Sequence, residues 1–194
     1  MATIHPETTT STHPAVLVED DVVTTATGRR WLAVTRLATG FIFLWAFLDK
    51  AFGLHYSTGA AVAEGDPSLA WINGGAPSQG FMQFGAIGPF KDTLASMASV
   101  GTDWLFMLCM LGVGVAVMLG IGLRVSAVAG SLTMALMWIA EWPLLQGSNN
   151  PLVDYHIIYA LALILCATLL AGDTWGLGRR WARIPVVQRF GWLR

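Results

Sequence analysis

The sequence is poor in charge and in cysteine, and each shortage argues against a class of protein. Charged residues make up 12% of the 194 positions, about half their share in a soluble protein. The formal net charge is −1, so no basic surplus is available to neutralise phosphates, and nucleic acid is not an expected partner. Two cysteines are too few to build a disulfide-rich secreted scaffold.

Apolar residues dominate what remains. They form 55% of the chain, and the mean hydropathy is +0.59. A helix needs about 20 mostly apolar residues to cross a bilayer, and four stretches meet that length: about residues 31–53, 104–123, 125–145 and 152–172. The sequence therefore predicts an all-α, integral membrane four-helix bundle over residues 29–175.

Arginines set the expected orientation of this bundle. They gather before the first span, between the second and third spans, and beyond the fourth. The positive-inside rule then places both termini in the cytoplasm, and we expect a bacterial cytoplasmic membrane as the location. Residues 1–28 are rich in threonine and acid without apolar periodicity, which is typical of a disordered cytoplasmic tail.

Two further segments carry aromatic side chains. The long external connection, residues 54–103, has many aromatic and turn-forming residues, so we expect an ordered cap over the bundle. Residues 176–194 interleave tryptophan and phenylalanine with arginine, which is typical of a segment lying in the membrane interface. The same basic tail also fits a docking surface for a soluble partner.

Ionisable groups converge at the external end of the predicted bundle. The first and third helices end there, while the second and fourth begin there. The groups brought to this level are Asp49, Lys50, Asp103, Glu141, Asp154 and His156. Ionisable residues inside a membrane are costly, so each is a functional hypothesis unless a structural role explains it.

Structural explanations compete at several of these positions. Asp103 fits a helix N-cap, and Asp154 lies near a helix start, where the dipole favours an anion. Lys50 pairs with an acid across the bundle or extends to the headgroups. At the other end, Arg36 bonds a partner helix or extends to the membrane surface. His156 either relays protons near neutral pH or binds a neighbouring helix.

Several chemistries are disfavoured by residue content and spacing. A membrane cytochrome needs deep axial ligands, and outside the tail the two histidines both lie near one surface. We find no flavin or metal motif, and Cys109 and Cys166 lie at different depths, too far apart for a disulfide. Small residues at 112, 116 and 120 of the second span predict its packing face.

The pattern resembles the DoxX/DoxD-like membrane protein family, in the form found in actinobacteria. The residues that carry the resemblance are Arg36, Gly40, the stretch 43–50 (FLWAFLDK) with Phe52-Gly53, the loop 71–75 (WINGG), and Gly88-Pro89-Phe90. The resemblance covers about residues 29–175. It implies a membrane subunit similar to the large subunit of thiosulfate:quinone oxidoreductase, which works with a small partner subunit. Other members of the family are thought to anchor redox enzymes.

The leading hypothesis is a membrane subunit of a quinone-linked sulfur or thiol redox system, with quinone as electron acceptor and no haem, flavin or metal. Glu141, Asp154 and His156 are the candidate catalytic residues, because they are able to handle protons. The candidate substrate- or quinone-binding residues are Lys50, Asp49, Trp45, Trp138, Trp142 and His55. Lys50 is the cation that would bind an anion or a quinone carbonyl.

Expected partners are the bilayer and a small subunit or soluble redox enzyme. The alternative is a non-catalytic anchor or assembly subunit. A transporter is less favoured, because no broken helix or inverted repeat is evident.

Overall fold

Helices account for all regular secondary structure in the residues that the computed structural model describes, namely 16–58, 69–145 and 150–194. In chain order the α-helices are α1 (Glu19–Val22), α2 (Ala26–Phe52), α3 (Pro77–Gly80), α4 (Lys91–Met97), α5 (Val100–Leu119), α6 (Leu123–Glu141), α7 (Tyr155–Thr168), α8 (Gly178–Trp181) and α9 (Pro185–Arg189). A π-helical turn, Phe81–Gly85, follows α3. The all-helical fold predicted from the sequence is confirmed for these residues.

Three helices, α2, α5 and α6, are long and apolar enough to cross a membrane. Large apolar side chains cover their outer faces: Leu105 and Val128 are each 71% exposed and Leu132 is 60% exposed. Large contiguous apolar surfaces are rare on soluble monomers, so these helices indicate a multi-pass membrane protein. Helix α7 is apolar but has 14 residues, or about 21 Å at 1.5 Å per residue. The fourth span therefore stays a prediction.

Capping residues move the first two long helices away from the predicted bounds. Helix α2 begins at Ala26 rather than 31, because the Thr25 side chain accepts a hydrogen bond from Gly28 N. Helix α5 begins at Val100 rather than 104, because Ser99 caps its first turn. Gly53 and Gly120 adopt left-handed conformations and end the two helices. A hydropathy pattern misses these starts, since the first turn and its cap are polar.

The last two long helices are shorter than predicted. Helix α6 ends at Glu141 rather than 145, because Trp142 has a φ of 41°. Helix α7 runs over Tyr155–Thr168 rather than 152–172. Its start is fixed by the Asp154 cap, and Leu170, with a φ of 56°, no longer follows a right-handed helix.

Two closely packed helix pairs form the bundle. Helix α2 packs mainly against α5, and α6 packs mainly against α7. The α2–α5 contact depends on Gly114, where an added Cβ would lie 2.6 Å from Leu44 N. Gly112, which the sequence placed on the packing face, has open space at its Cβ position. The prediction was therefore wrong at Gly112, which lies about half a turn from Gly114, because the small-residue spacing does not state which face meets the neighbouring helix. Gly120 of the same set does meet a neighbour, since an added Cβ there would lie 2.7 Å from Gly172 Cα.

The chain on either side of the bundle packs against it. The sequence predicted a disordered tail over 1–28; residues 1–15 lie outside the described residues, but α1 is helical and its Glu19 is buried. Glu19 N donates to Asp173 Oδ2 at 3.0 Å, and Arg194 forms an ion pair with the same carboxylate at 2.9 Å. The C-terminal segment also returns to the α5–α6 turn, where Arg194 O accepts from Arg124 N at 2.9 Å. Both terminal segments thus meet at one end of the bundle.

At the other end lies the connection between α2 and α5, which the sequence predicted as an external cap over 54–103. Residues 59–68 lie outside the described residues. The remainder carries α3, the π-helical turn and α4, and Ile87 N donates to Ala140 O at 2.8 Å. This bond rests the connection on the last turn of α6, beside the predicted site.

Candidate functional site

The candidate site lies where α6 ends and α7 begins. The structure brings Glu141, Asp154 and His156 together there, with one ligand atom of each within 4.8 Å of the others. Tyr155 joins them between the cap and the histidine. The predicted meeting of the last acid of α6 with the first polar residues of α7 therefore has a direct geometric counterpart.

Asp154 fixes the position of this group. Its Oδ1 accepts from the backbone N–H groups of His156 at 3.0 Å and Ile157 at 3.3 Å, so Asp154 is the N-cap of α7, whereas the sequence placed it near the helix start for its interaction with the dipole. Its Oδ2 lies 2.9 Å from His156 Nδ1. One carboxylate thus has two roles: Oδ1 caps the first turn of α7, and Oδ2 orients the imidazole of His156.

His156 is the most buried member of the site, with 1% of its side chain exposed. Since Asp154 is an acceptor, Nδ1 carries the proton in the neutral ring. Nε2 then presents a lone pair, and it has no hydrogen-bond partner within the described chain. This lone pair points to the side of Glu141, whose Oε1 lies 4.0 Å away.

Glu141 occupies the outer side of the group and is about one-third exposed. Tyr155 Oη donates to its carboxylate and lies 3.0 Å from both oxygens. The Tyr155 ring also stacks beside His156, with 4.0 Å between ring centroids. Tyr155 was missed from the sequence; its position between two selected residues at a helix start was the available signal.

Aromatic rings form one wall beside Glu141. Trp138 and Trp142 lie 5.9 Å apart by ring centroids, and Phe90 from the α2–α5 connection meets Trp142 edge-on at 5.9 Å. Trp138 Nε1 donates to Leu152 O at 3.2 Å. The backbone of Trp142 adopts a left-handed conformation, and its side chain packs against Gly88. A Cβ added at Gly88 would lie only 2.5 Å from Trp142 Cβ. Trp138 and Trp142, two of the candidate quinone-binding residues, thus lie at the same end of α6 as Glu141.

Asp49 and Lys50 belong to a second group at the end of α2. Asp49 is buried and accepts from the backbone N–H groups of residues 56, 57 and 58 at 2.9–3.1 Å and from Ser57 Oγ at 2.7 Å. These donors explain an acid at a helix C-terminus, so Asp49 organises the turn after α2. Lys50 Nζ donates to the same Ser57 Oγ at 3.3 Å.

Trp45 and His55 extend this second group. Trp45 contacts Tyr56 edge-on, with centroids 5.1 Å apart. Within the described residues, Trp45 makes no ring contact with the Trp138–Trp142 pair. His55 adopts a positive φ of 63° in the turn that Asp49 holds. The predicted ligand-binding residues therefore divide into two groups, one on α2 and one on α6–α7.

Asp103 has a different partner from the one expected. The sequence proposed it as a cap of its own helix, but Ser99 caps α5. Asp103 is buried, and its carboxylate accepts from Ser78 Oγ at 2.6 Å and from Gln79 Nε2 at 2.6 Å. It therefore fixes α3 on the start of α5, a contact between segments 24–25 residues apart.

Arg36 is fully buried at the opposite end of the bundle. It donates to Val117 O at 2.7 Å, Met118 O at 2.5 Å, Ala171 O at 3.0 Å and Trp175 O at 3.0 Å. Of the two sequence alternatives, the bond to partner helices is the one the geometry favours. Arg36 closes the C-terminal end of α5 and the turn after α7.

Glu19 lies at the same end as Arg36. Burial raises the pKa of its carboxyl, and the nearby Asp173 adds to the rise, while a hydrogen bond from Thr174 opposes it.

Neither Cys109 nor Cys166 forms a disulfide bond. Comparisons with protein-family models, curated proteins and solved structures gave no match.

Proposed function

We propose that the chain is the membrane subunit of a quinone-linked sulfur or thiol redox system, similar to the large subunit of a thiosulfate:quinone oxidoreductase. The observation that carries this proposal is the group Asp154, His156, Glu141 and Tyr155 beside the indoles of Trp138 and Trp142. It combines proton-handling side chains with an aromatic wall, which are the two things that a quinone site needs.

The reaction sets the task of these residues. Two thiosulfates, one quinone and two protons give one tetrathionate and one quinol, so two electrons pass to the quinone. The quinone oxygens must each take a proton. Glu141 is partly exposed and connects the group to solvent, while His156 presents Nε2 on the buried side. We assign the delivery of protons to this pair and the orientation of the imidazole to Asp154.

Lys50 is the cation of the second group, and we assign it to an anionic substrate or a quinone carbonyl. Ser57 accepts its hydrogen bond and donates to Asp49, so Lys50 is positioned by the turn that Asp49 holds. Thiosulfate is a dianion, and a single lysine is a modest counter-charge. A small partner subunit would complete the anion site.

The proposal includes a membrane arrangement. Helix α7 with its flanking turns is the fourth span, which places the Glu141 group at the external face and both termini in the cytoplasm of a bacterium. The exposed arginines after α7, such as Arg179, Arg180, Arg183 and Arg189, support this orientation under the positive-inside rule.

Quinone reduction that depends on thiosulfate, measured in native membranes from cells with and without the gene, tests the proposal. Native membranes retain any partner subunit. We expect gene-dependent turnover that Lys50→Ala or Glu141→Gln lowers at least tenfold, since a positioned acid or base contributes about 10²–10⁴-fold. Lys91→Ala and Asp92→Asn alter exposed residues of the α2–α5 connection, at the same end of the bundle, and should retain full turnover.

A null result has a defined meaning in this assay. If the protein reaches the membrane and no thiosulfate-dependent turnover follows the gene, thiosulfate is not the substrate. If turnover follows the gene but is unchanged in Lys50→Ala and Glu141→Gln, the site assignment is wrong.

The second candidate function is a non-catalytic anchor for a redox enzyme, favoured by the exposed arginines of the C-terminal segment. Removal of this segment is a poor test, because Arg194 binds Asp173 and Arg124 at the bundle end. Triple substitution of Arg180, Arg183 and Arg189 by glutamine keeps those contacts. It should abolish co-purification of a partner if the anchor function holds, and it should preserve turnover if the enzyme function holds.

A further inference from the structure

We infer that Glu141 and His156 form a binding site for a divalent transition-metal ion, with Asp154 as the residue that orients the histidine. The inference goes beyond the redox role proposed above and does not depend on it. It begins from the mutual approach of the three side chains, whose ligand atoms lie within 4.8 Å of one another.

Clustered acids alone would not make a site, but His156 adds an independent observation. Its side chain is 99% buried, and Nε2 has no hydrogen-bond partner within the described residues. A buried polar atom without a partner costs free energy, so an unpaired Nε2 indicates a ligand that it receives. The nearest carboxylate oxygen, Glu141 Oε1, lies 4.0 Å away on the same side.

The arrangement of Asp154 is the one that metal-binding histidines use. A ligating imidazole usually donates its other ring N–H to a carboxylate, which fixes the tautomer and makes the free nitrogen a better ligand. Asp154 Oδ2 lies 2.9 Å from Nδ1 and leaves Nε2 for the metal. Its other oxygen is engaged with the backbone of α7, so the carboxylate cannot easily rotate away.

The ligand types decide the class of ion. One imidazole nitrogen with carboxylate oxygen suits Zn²⁺ and its transition-metal neighbours, whereas Mg²⁺ prefers oxygen alone. Zinc lies about 2.0–2.2 Å from such ligands, so a tetrahedral site needs Nε2 and Oε1 roughly 3.4 Å apart. That closure is about 0.6 Å shorter than the present gap, and Glu141, being partly exposed at the end of α6, has the freedom to make it. Water completes the coordination.

Metal binding would also change the chemistry of the group. An ion on Nε2 takes the lone pair that would otherwise exchange a proton, and it draws Glu141 away from Tyr155. The bound state is therefore unable to pass protons through His156. Transition-metal binding thus acts as an inhibitor of any reaction that uses this group for proton transfer.

The test is a calorimetric titration of the purified full-length protein in detergent with Zn²⁺ and, separately, with Mg²⁺. We expect one saturable Zn²⁺ site and much weaker binding of Mg²⁺. Zn²⁺ binding should be weakened at least tenfold in Glu141→Gln and lost in His156→Gln. Asp154→Asn retains a good helix cap and should weaken Zn²⁺ binding about 10–100-fold, the usual effect of losing an orienting partner. Asp92→Asn is the matched control and should bind as the unchanged protein does.

Three outcomes would overturn the inference: no saturable Zn²⁺ binding, a site that survives His156→Gln because histidines elsewhere hold the ion, or equal binding of Mg²⁺. If His156→Gln does not fold, as judged by circular dichroism and elution volume, Glu141→Gln decides alone, because that side chain is partly exposed at a helix end. Since the titration measures binding and not turnover, its failure leaves the quinone proposal untouched, and the reverse also holds.

Discussion

Replacing Arg36 by methionine should destabilise the bundle more than any other single charge removal at that end. Methionine fills similar space but donates no hydrogen bond. The guanidinium donates hydrogen bonds to the last carbonyls of α5 and to the turn after α7. It thereby links two segments that are far apart in the sequence. Its loss leaves most of these carbonyls without a donor, in buried or partly buried positions.

The magnitude follows from the acceptors. Val117 O also accepts from Gly120 N. Among the described residues this leaves four carbonyls dependent on Arg36, those of Met118, Ala171, Thr174 and Trp175. An unsatisfied buried acceptor costs about 1–3 kcal/mol. Ala171 O, whose bond to Arg36 is buried, carries that cost in full, and the three part-buried carbonyls carry less each. The variant also escapes the desolvation cost of a buried charge. We therefore expect a net loss of about 3–5 kcal/mol, the usual cost of breaking a buried charged contact.

Reversible unfolding in mixed micelles, followed by circular dichroism, measures this change in the free energy of unfolding. Arg30→Met is the matched control, because Arg30 is exposed on the same helix and should change stability by less than about 0.5 kcal/mol. Arg36→Lys keeps the charge but lacks the planar fork and should fall between the two. A loss below about 1 kcal/mol in Arg36→Met would refute the argument that these carbonyls depend on the guanidinium.

Two further predictions concern packing and pH. Gly114→Ala should destabilise the α2–α5 contact by about 1–3 kcal/mol in the same unfolding assay, because its Cβ meets the Leu44 backbone, whereas Gly112→Ala has open space and should be neutral or stabilising; equal losses would contradict the assigned face. Burial raises the pKa of Glu19, so the docking of α1 should be strongest at or below the ordinary pKa near 4.5 and weaken as the pH rises through the raised value. Hydrogen exchange of residues 17–22, corrected for intrinsic rates, should show this trend and lose it in Glu19→Gln; a persistent trend would exclude Glu19 as its source.

The sequence predicts the helices because apolar length is a local property. It also predicts that Glu141, Asp154 and His156 approach one another, since a short connection makes α6 and α7 antiparallel neighbours. These inferences need only the order and spacing of residues. Boundaries were less accurate, because polar caps such as Ser99 lie outside an apolar run.

Contacts between distant segments could not be predicted in the same way. The bond from Asp103 to Ser78 depends on how the connection folds back, and no spacing in the chain states it. The dipole disfavours an acid at a helix C-terminus such as Asp49, and the backbone N–H groups of residues 56–58 that satisfy it belong to a turn whose path the spacing does not state. The separation of Trp45 from the Trp138–Trp142 pair likewise depends on helix rotation, which four similar apolar faces do not determine.

The position of the Arg36 partners has a consequence for biosynthesis. Val117 follows Arg36 by 81 residues and Ala171 follows it by 135. At a synthesis rate of about 5–20 residues per second, the first acceptor emerges roughly 4–16 s after Arg36 and the second roughly 7–27 s after it. The ribosome therefore delivers α2 before any acceptor of its charge, and it supplies the acceptors in two steps, first those of α5 and later those of the turn after α7. A chain that stalls after α5 and before residue 171 has the Val117 acceptor for Arg36 but lacks Ala171 O. The environment of this arginine therefore differs between the stalled chain and the folded protein.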